Sequence, residues 1–198
     1  MTEDIILASA SPRRRELLAA LGWKFSVEPP RVEEKMICGE NPRELAARLA
    51  AEKADEVAGR FPGKWVVGAD TVVAVDGRAL GKPRDEAEAA AMLRLLSGRA
   101  HSVFTGVALV APDGGKRAGC EETKVHFRRL TDDEIADYIA QGESMDKAGA
   151  YAVQGSGALL ADRIEGCYFN IVGLPLFRLS ALFEELGLPL AEQWRVER

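Results

Sequence analysis

Histidine and cysteine are scarce in this sequence, and their scarcity argues against several kinds of site. The 198 residues include 2 histidines and 3 cysteines. His101 and His126 have no partner at a metal-ligand spacing, so neither a histidine metal site nor a Ser-His-Asp hydrolase is expected. Cys38, Cys120 and Cys167 lie far apart and form no CxxC pair. A disulfide framework and a zinc site are therefore not expected, and a reducing compartment is the simplest interpretation.

Long apolar runs and an excess of positive charge are also missing. No stretch approaches the roughly 20 apolar residues of a membrane span, and the apolar run at residues 5–8 is too short for the core of a signal peptide. We therefore expect a cytoplasmic protein without a membrane partner. The formal net charge of -5 argues against a broad nucleic-acid surface, although it leaves room for a small basic pocket.

The overall composition is that of an ordinary globular domain of enzyme size. Hydrophobic residues make up 47% and charged residues 29% of the chain, close to ordinary values. We expect one domain over residues 1–198, which is long enough to bury a substantial core.

Strand-like and helical patterns alternate along the chain. Asp76-Gly77 and the segment 112–115 are hairpin signals, which predict antiparallel pairs inside an otherwise alternating pattern. The sequence therefore predicts an α/β fold with a mixed sheet. The expected strands are 5–8, 24–27, 65–75, 79–80, 101–110 and 116–127, with short strands or turns at 151–155; the expected helices are 12–21, 42–59, 85–96, one beginning at 131, and 174–186.

The first candidate site is SASPRRR at residues 9–15, where a strand is expected to pass into a helix. Ser11 is a good N-cap, and Pro12 suits the first helical position. Free N–H groups at a helix start attract anions, and guanidinium groups match phosphate oxygens in pairs. The segment predicts a phosphate site; a capped helix with solvated arginines is the alternative.

Asp70 is the first catalytic candidate because it interrupts an almost wholly apolar strand. Burying a lone carboxylate is costly, so the side chain should serve a metal, a cationic partner or a pocket. The alternatives are an aspartate that caps a turn or one that pairs with a structural lysine.

Two lysines are weaker candidates. Lys82, in GKP at residues 81–83, follows the hairpin that returns from Asp70 and could reach the same cleft as a point charge on phosphate. Lys53 lies on the alanine-rich helix. Taken alone, each is more simply a solvated surface lysine.

Two further polar segments have ambiguous patterns. DKAGAYAVQG at residues 146–155 ends near Gln154, whose amide suits reading a base edge, although a polar loop would look the same. Glu33 and Glu34 follow a proline-rich turn. They are possible metal ligands, but paired surface glutamates are commonplace.

Together these segments resemble the Maf family, in order and over nearly the whole chain. The resemblance implies an α/β fold with a mixed, twisted sheet flanked by helices and two lobes with a central cleft, like that of the inosine triphosphatases. It also implies a cytoplasmic homodimer. The matching motifs are SASPRR at 9–14, GADTVV at 68–73, GKP at 81–83, DKAGAY at 146–151 and NIVGLPL at 170–176.

The resemblance also implies an activity. Maf proteins are nucleoside triphosphate pyrophosphatases, which release a nucleoside monophosphate and pyrophosphate with a divalent cation, Mg²⁺ or Mn²⁺. Asp70 matches the family's proton acceptor, and Arg13, Thr71 and Gln154 match positions associated with substrate choice. The remaining matches to the polar lining of the cleft are Ser9, Arg14, Glu33, Lys53, Lys82 and Lys147.

The segment at residues 146–151 favours one subgroup. DKAGAY followed by Gln154 looks like the subgroup that prefers dTTP and UTP, whereas the subgroup for 7-methylguanosine triphosphate typically carries His-Cys in place of Asp-Lys. Ala10, where Gly is common, and Phe169, where Tyr is common, are mild departures. The rival hypotheses are a 7-methylguanosine triphosphate pyrophosphatase and a non-catalytic regulator of septum formation that binds nucleotides or nucleic acid.

The expected mechanism places a divalent cation between protein and substrate. We expect the cation to be held mainly by Asp70, with Glu33 and substrate phosphate oxygens, and to orient a water for attack at the α-phosphorus. Lys53 and Lys82, with the two arginines, would stabilise the charge on the phosphates. Whether Asp70 acts as base or as metal ligand is left open by the sequence.

Overall fold

The computed structural model describes residues 5–35, 37 and 39–195, so Cys38 lies outside the described residues. Within that part, the strands form one seven-stranded sheet. They are β1 (Ile5–Ala8), β2 (Phe25–Val27), β3 (Trp65–Val75), β4 (Arg78–Leu80), β5 (Ala100–Val110), β6 (Lys116–Phe127) and β7 (Ala161–Glu165).

Helices precede or follow most of these strands, and their starts follow the capping signals in the sequence. Asn41 and Thr131 each form a capping box, and Asp85 accepts a hydrogen bond from the third residue of its helix. The helices are α1 (Pro12–Ala19), α2 (Pro42–Arg60), α3 (Glu86–Leu96), α4 (Asp132–Ala140), α5 (Tyr168–Val172), α6 (Leu176–Glu185) and α7 (Leu190–Gln193).

The sheet is mixed, which confirms the predicted fold class. The strand order is β2-β1-β3-β5-β6-β7, with β4 beside β3. β1 runs parallel to β2 and β3, whereas β3, β5, β6 and β7 pair antiparallel. Asp76 and Gly77 both have positive φ, at 51° and 73°, as expected for the tight turn that joins β3 to β4.

One edge of β3 is divided between two short strands. β1 pairs with residues 65–68 of β3, and β4 pairs with residues 73–75. Residues 69–72 therefore face a gap between β1 and β4, and the chain leaving β1 turns there into α1. Asp70 lies in this gap.

Helix α2 packs directly on the face of β3 and β5 that carries Asp70, because two glycines on that face leave room for its backbone. A Cβ on Gly68 would lie 2.4 Å from the carbonyl oxygen of Ala50, and one on Gly106 would lie 2.1 Å from that of Ala46. Gly106 is also the register partner of Asp70. The close approach of α2 brings Lys53 over the face of β3 that carries Asp70.

The far face of the sheet is covered by the other helices. Leu93 of α3, Ile135 of α4 and Phe183 of α6 belong to one buried apolar cluster. The cluster includes residues of β3 that point to the face opposite Asp70, such as Val67 and Val73. No helix in the described part of the chain has both the length and the apolar character needed to cross a membrane.

Three elements were not predicted from the sequence. β7 is an edge strand of mostly exposed polar residues, so it lacks the apolar alternation of a half-buried strand. α5 and α7 have five and four residues, too few to form from local propensity. Residues 151–155 form no strand; 3-10 turns at Ala148–Ala150 and Gly155–Leu159 flank them.

Candidate active site

The gap beside β3 opens into a cavity of about 720 Å³. Most of the predicted site residues line it, although they come from distant parts of the sequence. Those residues are Ser9, Arg13, Arg14, Lys53, Asp70, Thr71, Lys82 and Lys147.

Two predicted residues lie outside this lining. The exposed Glu33 carboxylate pairs with Lys35, 2.8 Å from its Nζ. Its neighbour Glu34 lines the cavity instead. Gln154 is half-buried and immediately precedes a 3-10 turn, but its side chain is not part of the cavity wall.

Lys53 joins two carboxylates at the floor of the cavity. Its Nζ lies 2.5 Å from Asp70 Oδ1 and 2.5 Å from Glu34 Oε1. Asp70 is 7% exposed and Lys53 is 6% exposed, so the solvated-lysine interpretation of Lys53 is wrong. No described residue donates a hydrogen bond to the second oxygen of Asp70. That oxygen is free to accept a proton or a ligand.

The two carboxylates are pushed toward opposite protonation states. Burial raises the pKa of Asp70 above its ordinary value, although the nearby charges of Lys53 and Arg14 oppose the rise. Burial also works against ionised Glu34, but its hydrogen bond and charge interaction with Lys53, helped by Lys82, lower the pKa of Glu34 overall. A pair of acids separated in this way is typical of sites that use one as a proton acceptor and keep the other ionised.

Arg14 is held in place by the protein itself. Its Nε donates to the carbonyl of Gly173 at 2.8 Å, and Nη1 donates to the carbonyl of Ala69 at 2.8 Å and to Ser9 Oγ at 3.3 Å. Nη2 donates to Thr71 Oγ1 at 3.0 Å. Four of the five guanidinium N–H groups are thereby engaged. Burial lowers the pKa of Arg14, while Asp70 and Glu34 oppose that shift.

Thr71 lies on the face of β3 opposite Asp70. Its hydroxyl is 3.0 Å from that of Thr105, which donates to the backbone carbonyl of Asn170 at 2.8 Å. The buried Asn170 amide in turn donates to the carbonyl of Val103 and to Thr123 Oγ1. Residues of the NIVG segment therefore anchor Arg14 and Thr71 from behind the cavity wall.

Three other cationic side chains reach the cavity from outside the sheet. Within the described part of the chain, Arg13 and Lys82 have no hydrogen-bond or ion-pair partner. Lys147 pairs with its neighbour Asp146. The backbone N–H of Gly149 donates to the carbonyl of Gly81 at 3.0 Å, which ties the loop carrying Lys147 to the loop carrying Lys82. These cations line the same cavity as the Asp70 cluster and suit a polyanion.

Tyr151, the last residue of the DKAGAY motif, is a wall residue for which the sequence predicts no role of its own. Its hydroxyl lies 2.7 Å from Nε2 of the buried His101, and both rings pack edge-to-face with Phe127. His101 was recognised from the sequence as lacking a metal partner, but no local pattern indicated its contact with a residue 50 positions away. The pair fixes the start of the segment that follows Lys147.

The acidic pair is chemically suited to a divalent cation, provided that other ligands come from a substrate. The described residues hold no group of three or more His, Cys, Asp or Glu side chains placed to bind a metal. Asp70 and Glu34 already share one cation, the Lys53 ammonium, in a cavity that Arg13 and Lys82 also line. Mg²⁺ commonly binds through one or two carboxylates plus phosphate oxygens and water.

Two solved structures are similar to this chain over part of its length. One is a nucleoside-triphosphatase / dITP/XTP pyrophosphatase from Mycobacterium abscessus, 24% identical, with a TM-score of 0.42 over 64% of this chain and 75% of that chain. Another is the Ham1 protein of Staphylococcus aureus, 17% identical, with a TM-score of 0.45 over 63% of this chain and 72% of that chain.

Several relatives share much higher sequence identity with this chain than these structures do. A protein named dTTP/UTP pyrophosphatase from Carboxydothermus hydrogenoformans is 52% identical over 92% of this chain and 98% of the relative. Another of that name, from Symbiobacterium thermophilum, is 50% identical over 95% of this chain and 96% of the relative. A protein of the same name in Myxococcus xanthus is 50% identical over 96% of this chain and 95% of the relative. The sequence model of the family described as Maf-like protein matches residues 4–186, and the chain therefore belongs to the Maf family.

Proposed function

We propose that this protein is a nucleoside triphosphate pyrophosphatase that hydrolyses dTTP and UTP to the monophosphate and pyrophosphate. The observation that carries the proposal is the shared Lys53 contact of Asp70 and Glu34 at the floor of a cavity lined by Arg13, Lys82 and Lys147. The names of the relatives that are about 50% identical support this choice of substrate.

Asp70 acts as the proton acceptor in this proposal. A water oxygen attacks the α-phosphorus, the bond between the α-phosphorus and its bridging oxygen breaks, and pyrophosphate leaves with that oxygen. The proton of the water passes to the second oxygen of Asp70. Burial favours this transfer because it raises the pKa of that carboxyl.

Glu34 and Lys53 provide the negative and the positive charge beside Asp70. Glu34 remains ionised because its pKa is lowered, and it is available as a cation ligand. Before nucleotide binds, Lys53 keeps Asp70 deprotonated, since an ammonium 2.5 Å away favours the carboxylate.

The other cations of the cavity lining bind the phosphate chain. Arg13 and Lys82 form no hydrogen bond or close ion pair in the described structure, although the charge of Lys82 acts on Glu34, so binding a triphosphate breaks no direct contact of theirs. Together with Lys147 they stabilise the negative charge that develops on the leaving pyrophosphate. Arg14 orients the cavity wall through its four protein contacts and has one N–H left for substrate.

A divalent cation, Mg²⁺ or Mn²⁺, belongs to this proposal. Asp70 and Glu34 would hold it, with the remaining positions left to phosphate oxygens and water; this replaces Glu33, which faces solvent beside Lys35. When bound, such a cation supplies a lowered pKa for a coordinated water and neutralises phosphate charge.

The test is a substrate panel with product identification. The protein is incubated in ¹⁸O-labelled water, with Mg²⁺ or Mn²⁺, with each of dTTP, UTP, CTP, GTP and 7-methylguanosine triphosphate. The products are separated, and their masses are measured by mass spectrometry. We expect pyrophosphate and a nucleoside monophosphate carrying the label, fastest from dTTP and UTP. Preference for 7-methylguanosine triphosphate or release of orthophosphate would contradict the proposal, and absence of any hydrolysis would favour a non-catalytic binder.

We further propose that the enzyme acts as a homodimer in the cytoplasm. Several large apolar side chains are exposed, including Phe177 and Trp194, and such side chains are common at subunit contacts. Light scattering coupled to gel filtration tests the oligomeric state: a mass near 43 kDa, twice that of the 21.5 kDa chain, is expected, and a mass of one chain would contradict it.

A further inference from the structure

We propose that Lys53 and the divalent cation compete for the same pair of carboxylates, and that the triphosphate admits the cation by drawing Lys53 onto its phosphates. This inference rests on the proposed function, because it concerns the cation that the pyrophosphatase reaction uses. It assigns to Lys53 a role that precedes the chemical step.

The geometry places the ammonium where a cation would bind. Lys53 Nζ is 2.5 Å from one oxygen of Asp70 and 2.5 Å from one oxygen of Glu34, so the two oxygens are no further apart than twice that distance. A Mg²⁺ ion bound to both carboxylates would need ligand distances of about 2.0–2.1 Å. The ammonium and the metal therefore cannot both lie between these two oxygens.

Displacing Lys53 in the absence of nucleotide is unfavourable. Its side chain is 7% exposed, and Asp70 and Glu34 are its anionic partners. A cation that took both carboxylates would leave a buried ammonium without a counter-charge, which is costly. The metal would also gain only two protein carboxylates, since the described residues offer no third acidic, histidine or cysteine ligand to the group.

A triphosphate removes both obstacles. Its phosphates provide a new acceptor for the Lys53 ammonium, whose four-carbon stem is flexible and whose three N–H groups rotate freely. Its oxygens also complete the coordination of the metal. Lys53 lines the same cavity as Arg13 and Lys82, so the ammonium can reach the phosphate chain by a rotation of its side chain within that cavity.

The consequence is that metal and nucleotide bind cooperatively, with the lysine as the coupling element. Removing the ammonium should free the carboxylates for the metal even without nucleotide. This prediction separates competition from a purely catalytic role of Lys53, for which loss of the charge would leave metal binding unchanged.

The experiment measures Mn²⁺ binding to the nucleotide-free protein by electron paramagnetic resonance at pH 8. We expect Lys53→Met to bind one Mn²⁺ at least 10-fold more tightly than the wild type, and Glu34→Gln added to Lys53→Met to reverse the gain. Lys35→Met is the matched control, because Lys35 pairs with the exposed Glu33 and should leave Mn²⁺ affinity unchanged. Equal or weaker Mn²⁺ binding by Lys53→Met would overturn the proposal.

A second measurement uses the wild-type protein and so does not depend on the folding of a variant. The ¹⁵N resonance of the Lys53 ammonium, assigned through bonds from the α2 backbone, should stay in place with millimolar Mg²⁺ alone. It should shift when Mg²⁺ is added with α,β-imido-dUTP, whose bridging nitrogen resists cleavage. A shift with Mg²⁺ alone, or none with both, would contradict the proposal. Neither measurement requires turnover, so a failure of the proposed pyrophosphatase activity would be recognised separately.

Discussion

Asp70 and Glu34 share one ammonium, yet their surroundings differ enough to give them different chemistry. Asp70 is buried on β3 beneath α2, whereas the Glu34 side chain is about half exposed on the loop before α2. The buried acid is the easier one to protonate, and the exposed acid is the easier one to keep ionised. Position in the fold therefore separates two residues that composition alone would treat alike.

Asp70→Asn tests the proton acceptor directly. The amide keeps the size of the side chain but cannot take a proton from water, so kcat for dTTP should fall by roughly 10²–10⁴-fold. Asp76→Asn is the matched control, because Asp76 is an exposed aspartate in the β3–β4 turn that pairs with Arg99. Steady-state kinetics with both variants, after a check of folding by circular dichroism, decide the point. Near-normal kcat in folded Asp70→Asn would refute the mechanism.

Arg14→Lys tests whether this arginine positions the site. A lysine cannot reproduce contacts to Gly173, Ala69 and Thr71 from one planar group, so some buried acceptors would lose their donor. We expect the free energy of unfolding to fall by about 2–3 kcal/mol, together with a lower kcat/KM. Arg15→Lys changes an exposed neighbour on the same helix and should stay within about 0.5 kcal/mol. Urea titration of both variants measures the difference; equal stability would show that the Arg14 contacts are dispensable.

At the scale of elements, the position of α2 determines whether Lys53 reaches Asp70. Gly106→Ala would place a Cβ 2.1 Å from the carbonyl oxygen of Ala46, and backbone cannot yield as a flexible side chain can. We expect a loss of about 3 kcal/mol or more in unfolding free energy, with α2 forced away from the sheet.

Gly59→Ala is the control for this prediction, and it should change the free energy of unfolding in the opposite direction. Gly59 also belongs to the α2 region, but nothing lies within 4 Å of a Cβ placed there. Alanine should stabilise the helix by roughly 0.5–1 kcal/mol. The stabilities of the two variants are compared by thermal and urea unfolding. A Gly106→Ala protein as stable as Gly59→Ala would show that α2 does not pack as closely on Gly106 as the structure indicates.

The sequence predicted elements well where local signals and burial agree. The limits of β3, β6 and the start of α2 follow from apolar runs, a hairpin turn and an N-cap followed by proline, each of which acts within a few residues. α5 could not be predicted in this way, because its five residues are helical only in the presence of contacts such as those of Asn170 with β5 and β6.

The site was predictable in outline because its motifs flank strand ends, but its contacts were not. Nothing local distinguishes Glu33 from Glu34 in a loop without periodicity, and only the packed α2 shows which one meets Lys53. Similarly, Gln154 lies close in sequence to Lys147, yet the turns around it leave its side chain outside the cavity lining. The predicted role of Gln154 in substrate choice stays a prediction.

At the scale of the whole molecule, a second buried polar contact supports the cavity from the far side of the sheet. His101 is 3% exposed, and its Nε2 is joined to Tyr151, while its Nδ1 is buried without a hydrogen-bond partner in the described structure. A proton added at Nδ1 would therefore create a buried charge that nothing accepts. Burial, with a smaller effect of nearby His126, lowers the pKa of His101 from 6.5 to about 4.

This shift predicts how stability depends on pH. Because the pKa of His101 is lower in the folded protein, the unfolded chain binds more protons between pH 6.5 and about 4, so the contribution of His101 is complete above pH 6.5 and is lost as the pH falls. We expect a loss of about 2 kcal/mol between pH 7.5 and pH 5, which His101→Phe should abolish. His126→Gln, which changes the other, more exposed histidine, should retain most of it. The chain has two histidines, so proton NMR can follow both directly. A His101 ring that titrates near pH 6.5 in the folded protein would show that the Tyr151 contact does not keep it neutral, and that the cavity wall is held by other means.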